Sequence, residues 1–195
     1  MAVEIPNRIK KDLVGIQGDL KSWVADVRWE KAEKLHITLV FLGEVPEERT
    51  ADLGKVVRKG VKGVKGTNVG FSEVGFFPKT RPRVVLVEIG PAPEQARCGV
   101  KDGREEIERL QKSLAEALSN AGFGFAKLSK PHITLGRFKQ RRYPTRRVDK
   151  TQPQPGNSNS TRRVGKSFKV KEVVIMESRL HPAGAIHTPI ARIPL

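Results

Sequence analysis

The sequence predicts an α+β protein with antiparallel sheets, and three observations support this prediction. Strand-like and helix-like segments mix along the 195-residue chain without the regular alternation of a doubly wound parallel sheet. The strand-like apolar segments are short, and turn residues separate them. One four-residue segment, His-Ile-Thr-Leu, occurs at 36–39 and again at 132–135, about half a chain length apart. Such spacing is typical of an internal duplication.

Each predicted element follows from the spacing of its apolar residues. Helices are predicted where apolar residues recur at three- and four-residue steps, as Ile9, Leu13 and Ile16 do. Strands are predicted where a short apolar run ends at a turn residue, as the run 35–42 ends at Gly43. In chain order we predict a strand at 2–5, a helix at 6–23, a strand at 35–42, a helix at 47–61, strands at 69–77 and 83–89, a helix at 103–121, and strands at 128–138, 168–180 and 185–193.

Proline and glycine mark several predicted element ends. Pro6 can begin a helix because its missing N–H is not needed in the first turn. Gly122 marks the end of the third helix. Residues 140–166 combine Pro, Gly, Ser and Asn with many arginines and have no apolar periodicity, which predicts a flexible basic loop.

The charge of the chain predicts a polyanionic partner. Lys and Arg number 37 against 21 Asp and Glu, which leaves a net charge of +16 and a pI near 10.3. Residues 130–171 hold thirteen basic residues and one acid. Nucleic acid phosphates are attracted to such a surface, although a solvated basic face remains the alternative on charge alone.

The length of the chain predicts a single domain, 1–195, and we expect a cytoplasmic protein that is a monomer. No apolar run approaches the ~20 residues of a membrane helix, so we expect no membrane insertion. The first residues lack the pattern of a secretory signal. Cys98 is the single cysteine and cannot form an internal disulfide, which fits a reducing compartment.

The repeated segment predicts an acid–base site. Side chains alternate along a strand, so His36 and Thr38 share one face, and His132 and Thr134 do the same in the second copy. Two histidines can act as the base and the acid of phosphodiester hydrolysis, because imidazole has a pKa near 6.5. The threonine hydroxyls can donate hydrogen bonds to phosphoryl oxygens, so we expect neither a cofactor nor a metal.

Two other interpretations of the histidines were weighed. A histidine beside a threonine on one strand can be a buried structural pair, but duplication of the whole segment favours a shared function. A zinc site is disfavoured, because the four histidines lack close ligand spacing and the single cysteine has no cysteine partner.

The chain resembles the two-histidine phosphoesterase superfamily, in its RNA 2′,3′-cyclic phosphodiesterase branch, historically called 2′-5′ RNA ligase. The resemblance rests on five segments that cover nearly the whole chain: 2–6, 35–43, 77–83, 130–137 and 176–180. It implies two pseudo-symmetric lobes whose antiparallel sheets face a central cleft, with helices on the outside.

The resemblance also implies the roles of the site residues. His36 would be the proton donor to the leaving 3′ oxygen and His132 the proton acceptor that activates water, which yields a 2′-phosphomonoester. Thr38 and Thr134 would bind the phosphoryl oxygens. The expected partner is RNA with 2′,3′-cyclic phosphate ends, tRNA fragments among them. ATP-independent 2′-5′ ligation by the same site and non-catalytic RNA binding are the alternatives.

Two more residues have open roles. Arg137 matches an arginine that often follows the second motif and could bind the phosphate bidentately. Strict alternation, however, puts Arg137 on the face opposite His132, so it reaches the site only if Gly136 permits a bulge or the strand ends there. The family commonly has a tyrosine where this chain has His187, and we expect His187 to be structural.

Overall fold

One antiparallel sheet organises the part of the chain that the computed structural model describes, namely residues 1–22, 24–90, 103–139, 167–181 and 185–195. Its strands are β1 (Ala2–Glu4), β2 (Val27–Trp29), β3 (His36–Thr38), β4 (Asn68–Phe77), β5 (Val84–Gly90), β6 (His132–Phe138), β7 (Ser167–Lys169), β8 (Glu172–Arg179) and β9 (Ile186–Pro194). They pair in the order β7-β4-β5-β6-β3-β1-β8-β9, and β2 pairs with β6. The predicted α+β class with antiparallel pairing is therefore confirmed.

The sheet must curl, because its two distant parts are joined by a very short link. β7 and β8 are six positions apart in the sheet order, which would separate them by about 29 Å in a flat sheet at about 4.8 Å per strand. Only Val170 and Lys171 lie between them in the chain. Three Cα steps span at most about 11 Å, so the sheet curls until these strands approach each other.

The sheet has two related halves that meet between β3 and β6. In the first half, β1 leads through a helix to β3, and β1 and β3 are neighbours. In the second half, β5 leads to β6 with a helix between them, and β5 and β6 are neighbours. Ile37 and Ile133, the second residues of the repeated segments, pair directly where the halves meet. The duplication seen in the sequence therefore corresponds to a repeated strand–helix–strand unit.

Three helices complete the core of the described residues: α1 (Asn7–Lys21), α2 (Thr50–Gly60) and α3 (Gly103–Asn120). Their buried side chains join the core that contains Ile37 and Ile133, so the helices cover that face of the sheet. These side chains recur at helical spacing: Ile9, Leu13, Ile16 and Leu20 in α1, Leu53 and Val57 in α2, and Ile107, Leu110, Leu114 and Leu118 in α3. The opposite face of β3 and β6 is left open for the site.

The strands differ from the prediction where long-range pairing changes. The strand predicted at 35–42 stops at Thr38, because the N–H groups of Leu39 and Val40 both donate to the Met1 carbonyl instead of continuing the ladder. The strand predicted at 168–180 divides into β7 and β8, which pair in different halves. β2 was not predicted. The predicted loop 140–166 lies outside the described residues.

Candidate active site

The two repeated segments border one cavity of about 340 Å³. Both His-Thr pairs point into it, whereas Ile37 and Ile133 are fully buried on the core side of the same strands. The structure thus brings together the four side chains that the sequence predicted to converge. The described residues that line the cavity are Arg28, Trp29, Glu30, Lys31, Lys34, His36, Thr38, His132, Thr134, Arg137, Ala185 and His187.

The two histidines are held in the same way. His36 Nδ1 lies 2.7 Å from the carbonyl oxygen of Lys34, and His132 Nδ1 lies 2.8 Å from that of Lys130, two residues earlier in each case. A carbonyl oxygen only accepts hydrogen bonds, so Nδ1 carries the hydrogen in both rings. Each neutral ring therefore has its lone pair on Nε2, the nitrogen that can exchange a proton.

The Nε2 atoms differ in their partners. His36 Nε2 lies 3.1 Å from Thr38 Oγ1, so the hydroxyl donates to the neutral ring. Among the described residues, His132 Nε2 has no hydrogen-bond partner. Burial lowers the pKa of His36 below its usual value near 6.5, and positive charge on the neighbouring His187 lowers it further. Burial therefore favours the neutral form of His36 in the free protein.

A bulge in β6 decides the position of Arg137. Adjacent residues of β5 pair with Thr134 and Gly136, which are two apart in β6, so Leu135 is an extra residue. Leu135 and Gly136 are both buried, and the alternation of faces is shifted by one residue after them. Arg137 therefore lines the same cavity as Thr134. The bulge, one of the two conditions for Arg137 to reach the site, is met.

Gly136 lets β2 approach the bulged strand. A Cβ atom at Gly136 would lie 2.5 Å from Val27 Cγ1 and 3.1 Å from Trp29 Cε3. The missing side chain allows these two residues to pack against the core side of β6. On the other face, this pairing brings Arg28 to the cavity, and Glu30 follows directly after the strand.

Two glutamines on the helices support the repeated segments, and each one hydrogen-bonds to the segment of the other half. Gln17 of α1 donates to the Leu135 carbonyl at 2.8 Å, and Gln111 of α3 donates to the Leu39 carbonyl at 3.0 Å. Leu39 and Leu135 are the equivalent fourth residues of the two segments. Both glutamines are only 3% exposed, and they are the buried polar side chains of the described residues. Equivalent hydrogen bonds thus connect the two halves.

A third histidine lies in the cavity wall. The ring centroid of His187 is 5.1 Å from that of His36, at an interplanar angle of 71°, which is an edge-to-face contact. His187 Nδ1 lies 2.8 Å from Ser178 Oγ on the neighbouring strand. Burial lowers the pKa of His187, and the charge of Lys34 lowers it further. The sequence predicted a structural residue here, and the structure adds that it contacts a ring of the site.

The residues that the sequence did not reveal reach the site through contacts between segments that are far apart in the chain. Gln17 and Gln111 share one signal that was available, since each is a polar residue on the apolar stripe of its helix. Arg28 and Glu30 had no local signal, because β2 was not predicted.

Two further findings concern metal and membrane. Within the described ranges, no group of three or more His, Cys, Asp or Glu is arranged to hold a metal ion. No helix in the described part of the chain is long and apolar enough to cross a membrane.

An antiparallel α+β fold in which two His-x-Thr strands share one cavity defines a two-histidine phosphoesterase, the class that the sequence resembles. Residues 3–86 and 99–187 match the family model described as LigT like phosphoesterase, so the chain belongs to this family.

The relatives agree with this assignment. An RNA 2′,3′-cyclic phosphodiesterase of Methanothermobacter thermautotrophicus is 32% identical over 96% of this chain and 93% of its own length. A protein of the same name from Archaeoglobus fulgidus is 35% identical over 72% of each chain. A solved structure from Thermus thermophilus has a TM-score of 0.71 at 25% identity and covers 100% of this chain and 95% of that chain.

Proposed function

We propose that this protein hydrolyses the 2′,3′-cyclic phosphate ends of RNA to 2′-phosphomonoesters. The observation that carries the proposal is the pair of equivalent imidazoles, each held through Nδ1 so that Nε2 faces one cavity. The names of the relatives support the substrate, since two of them at 32% and 35% identity are RNA 2′,3′-cyclic phosphodiesterases. The net charge of +16 supports a polyanionic partner.

In the proposed reaction, His132 is the base and His36 the acid. His132 Nε2 takes a proton from water, whose oxygen attacks the phosphorus as the bond to the 3′ oxygen breaks. His36 Nε2 gives its proton to that leaving oxygen, and the phosphate remains on the 2′ oxygen. Thr38, Thr134 and Arg137 donate hydrogen bonds to the phosphoryl oxygens, where negative charge accumulates. The assignment of acid and base follows the family resemblance.

The hydrogen bond between His36 and Thr38 couples two parts of this mechanism. While His36 is neutral, the Thr38 hydroxyl donates to its Nε2 and is not free for a phosphoryl oxygen. When His36 gains its second proton, Nε2 becomes a donor, and the hydroxyl hydrogen can turn to the phosphate. Protonation would thus prepare the acid and the oxygen-binding hydroxyl together.

The pH dependence of a His132→Ala variant tests the role of His36. Its residual hydrolysis no longer depends on the second imidazole, so the profile of kcat/KM reports His36 in the free enzyme. Because burial lowers the pKa of His36, we expect this residual kcat/KM to fall as pH rises through a midpoint below 6.5. A residual rate that rises with pH through the same midpoint would assign His36 as the base. Histidine NMR of the free protein would locate that midpoint independently.

A direct assay tests the proposed function. Purified protein is incubated with an oligonucleotide that ends in a 2′,3′-cyclic phosphate, with and without EDTA, and the products are identified by mass spectrometry and by their resistance to a 3′-specific phosphatase. We expect a 2′-phosphate end under both conditions. An unchanged oligonucleotide would contradict the proposal. A joined product, formed when an RNA with a 5′-hydroxyl end is added, would show that the site favours the ligase alternative.

A further inference from the structure

A pair of arginines on adjacent strands lies at the edge of the cavity, next to the two His-Thr pairs. Arg28 of β2 and Arg137 of β6 are direct partners in the antiparallel register, and both line the cavity. Side chains at directly opposed positions lie on the same face of a sheet, with Cβ atoms about 5 Å apart. The two arginine side chains therefore leave the sheet next to each other on the same face.

This pairing places two like charges opposite each other. Like charges directly opposite each other in a sheet destabilise the folded state. Glu30 offsets the charge of Arg137, with an Nε to Oε1 distance of 3.5 Å. Among the described residues, no carboxylate lies within ion-pair distance of Arg28. A positive charge without a partner thus lies in a cavity whose other polar groups suit a phosphate.

Both arginines lie further along β6 than its His-Thr pair. Arg137 is three residues after Thr134, and with the bulge in between this corresponds to about 7–10 Å at about 3.3 Å per residue. One phosphate held by the histidines, the threonines and Arg137 would leave Arg28 for a different phosphate. In an RNA 3′ end, the nearest such group is the 5′-phosphodiester of the terminal nucleotide.

We infer that Arg28 binds the phosphodiester on the 5′ side of the terminal nucleotide, so that the site selects oligonucleotide ends over nucleoside 2′,3′-cyclic phosphates. This inference rests on the proposed function. A charge-assisted hydrogen bond contributes about 1.5–3 kcal/mol, which corresponds to roughly a tenfold to hundredfold preference in kcat/KM. Arginine suits this task, because its guanidinium matches the two free oxygens of a phosphodiester.

The test compares a mononucleoside substrate with a dinucleotide, which adds this phosphodiester together with a second adenosine. Initial rates are measured for adenosine 2′,3′-cyclic phosphate with a free 5′-hydroxyl and for the dinucleotide ApA that ends in the same cyclic phosphate. We expect the wild-type protein to prefer the dinucleotide by about tenfold or more in kcat/KM. Arg28→Gln should reduce this ratio to about one to threefold, and Arg28→Lys, which keeps the charge, should retain part of it.

Two controls sharpen the comparison. Arg8→Gln removes an exposed arginine from α1, on the helix-covered side of the sheet, and should keep both rates. Lys31→Gln removes another cation from the cavity wall and should keep the ratio. Thermal unfolding adds a second readout, because Arg28→Gln relieves the repulsion with Arg137 and should melt at the same temperature as the wild type or higher.

The outcomes separate the two proposals. Equal kcat/KM for both substrates in the wild-type protein would overturn the role of Arg28 while leaving cyclic phosphate hydrolysis in place. A preference that survives Arg28→Gln, or that disappears with Lys31→Gln instead, would also overturn it. If the wild-type protein hydrolyses neither substrate, the proposed function fails, and the inference about Arg28 fails with it.

Discussion

Replacing His36 or His132 by alanine is expected to lower kcat for a 2′,3′-cyclic phosphate end by about 10²–10⁴-fold. Each variant removes one of the two groups proposed to move protons in the transition state, and general acid–base catalysis contributes this much. Binding of RNA should persist, because the basic residues around the cavity remain. The double variant should lose more than either single variant, because the residual hydrolysis of His132→Ala still depends on His36.

His181→Ala is the matched control, because His181 is exposed and lies outside the cavity lining. Its turnover should equal that of the wild-type protein. If the wild-type protein hydrolyses the substrate and both His36→Ala and His132→Ala keep full activity, the proposed site is wrong. If the wild-type protein binds RNA tightly and has no turnover to lose, the chain acts on this RNA as a binding module.

A substrate with an activated leaving group distinguishes the histidine that acts as the general acid from the one that acts as the general base. Nitrophenolate leaves without protonation, so a nitrophenyl phosphodiester does not need the general acid. We expect His36→Ala to be much less impaired with this substrate, whereas His132→Ala stays impaired because water still has to be activated. The reverse pattern would exchange the two roles.

Replacing either bracing glutamine by methionine is expected to lower the free energy of unfolding by about 1–3 kcal/mol and to reduce turnover as well. Methionine fills a similar volume but cannot donate a hydrogen bond, so buried carbonyls lose a partner. Gln17→Met affects the Leu135 carbonyl at the bulge and the Glu30 carbonyl, whereas Gln111→Met affects those of Leu39 and Ser129. Each variant therefore loosens the segment in the opposite half.

Leu13→Met is the control for these variants. It places methionine on the same buried stripe of α1 without removing a hydrogen bond, and such a swap usually costs less than about 1.5 kcal/mol. Urea unfolding gives the stability of each protein, and steady-state kinetics gives kcat and KM. If Gln17→Met matches Leu13→Met in both measurements, the hydrogen bonds across the halves do not position the site.

The two glutamine variants should differ in which kinetic constant they change, and this shows which part of the site each glutamine supports. Gln17→Met should mainly raise KM, because the bulge that it supports orients Arg137 toward the bound phosphate. Gln111→Met should mainly lower kcat, because it supports the strand that carries His36 and Thr38. A general loss of packing would change both proteins in the same way.

The sequence by itself predicted the fold class, the helices and the shared face of each His-Thr pair. Helix α3 was predicted within one residue of its observed end, because helical periodicity depends on neighbours three and four residues apart. The repeated His-Ile-Thr-Leu segment was informative for a similar reason. Alternation along a strand is local, so it already placed each histidine and threonine on one face and each isoleucine in the core.

Only the tertiary structure decided the rest, because strand partners, register and bulges depend on residues far apart in the chain. The bulge at Leu135 turns Arg137 into the cavity, and the pairing of β2 with β6 adds Arg28. The contact between His36 and His187 joins strands on either side of a long stretch of sequence. A shift of one residue in a strand reverses the face of every side chain after it, and no local pattern determines where that shift occurs.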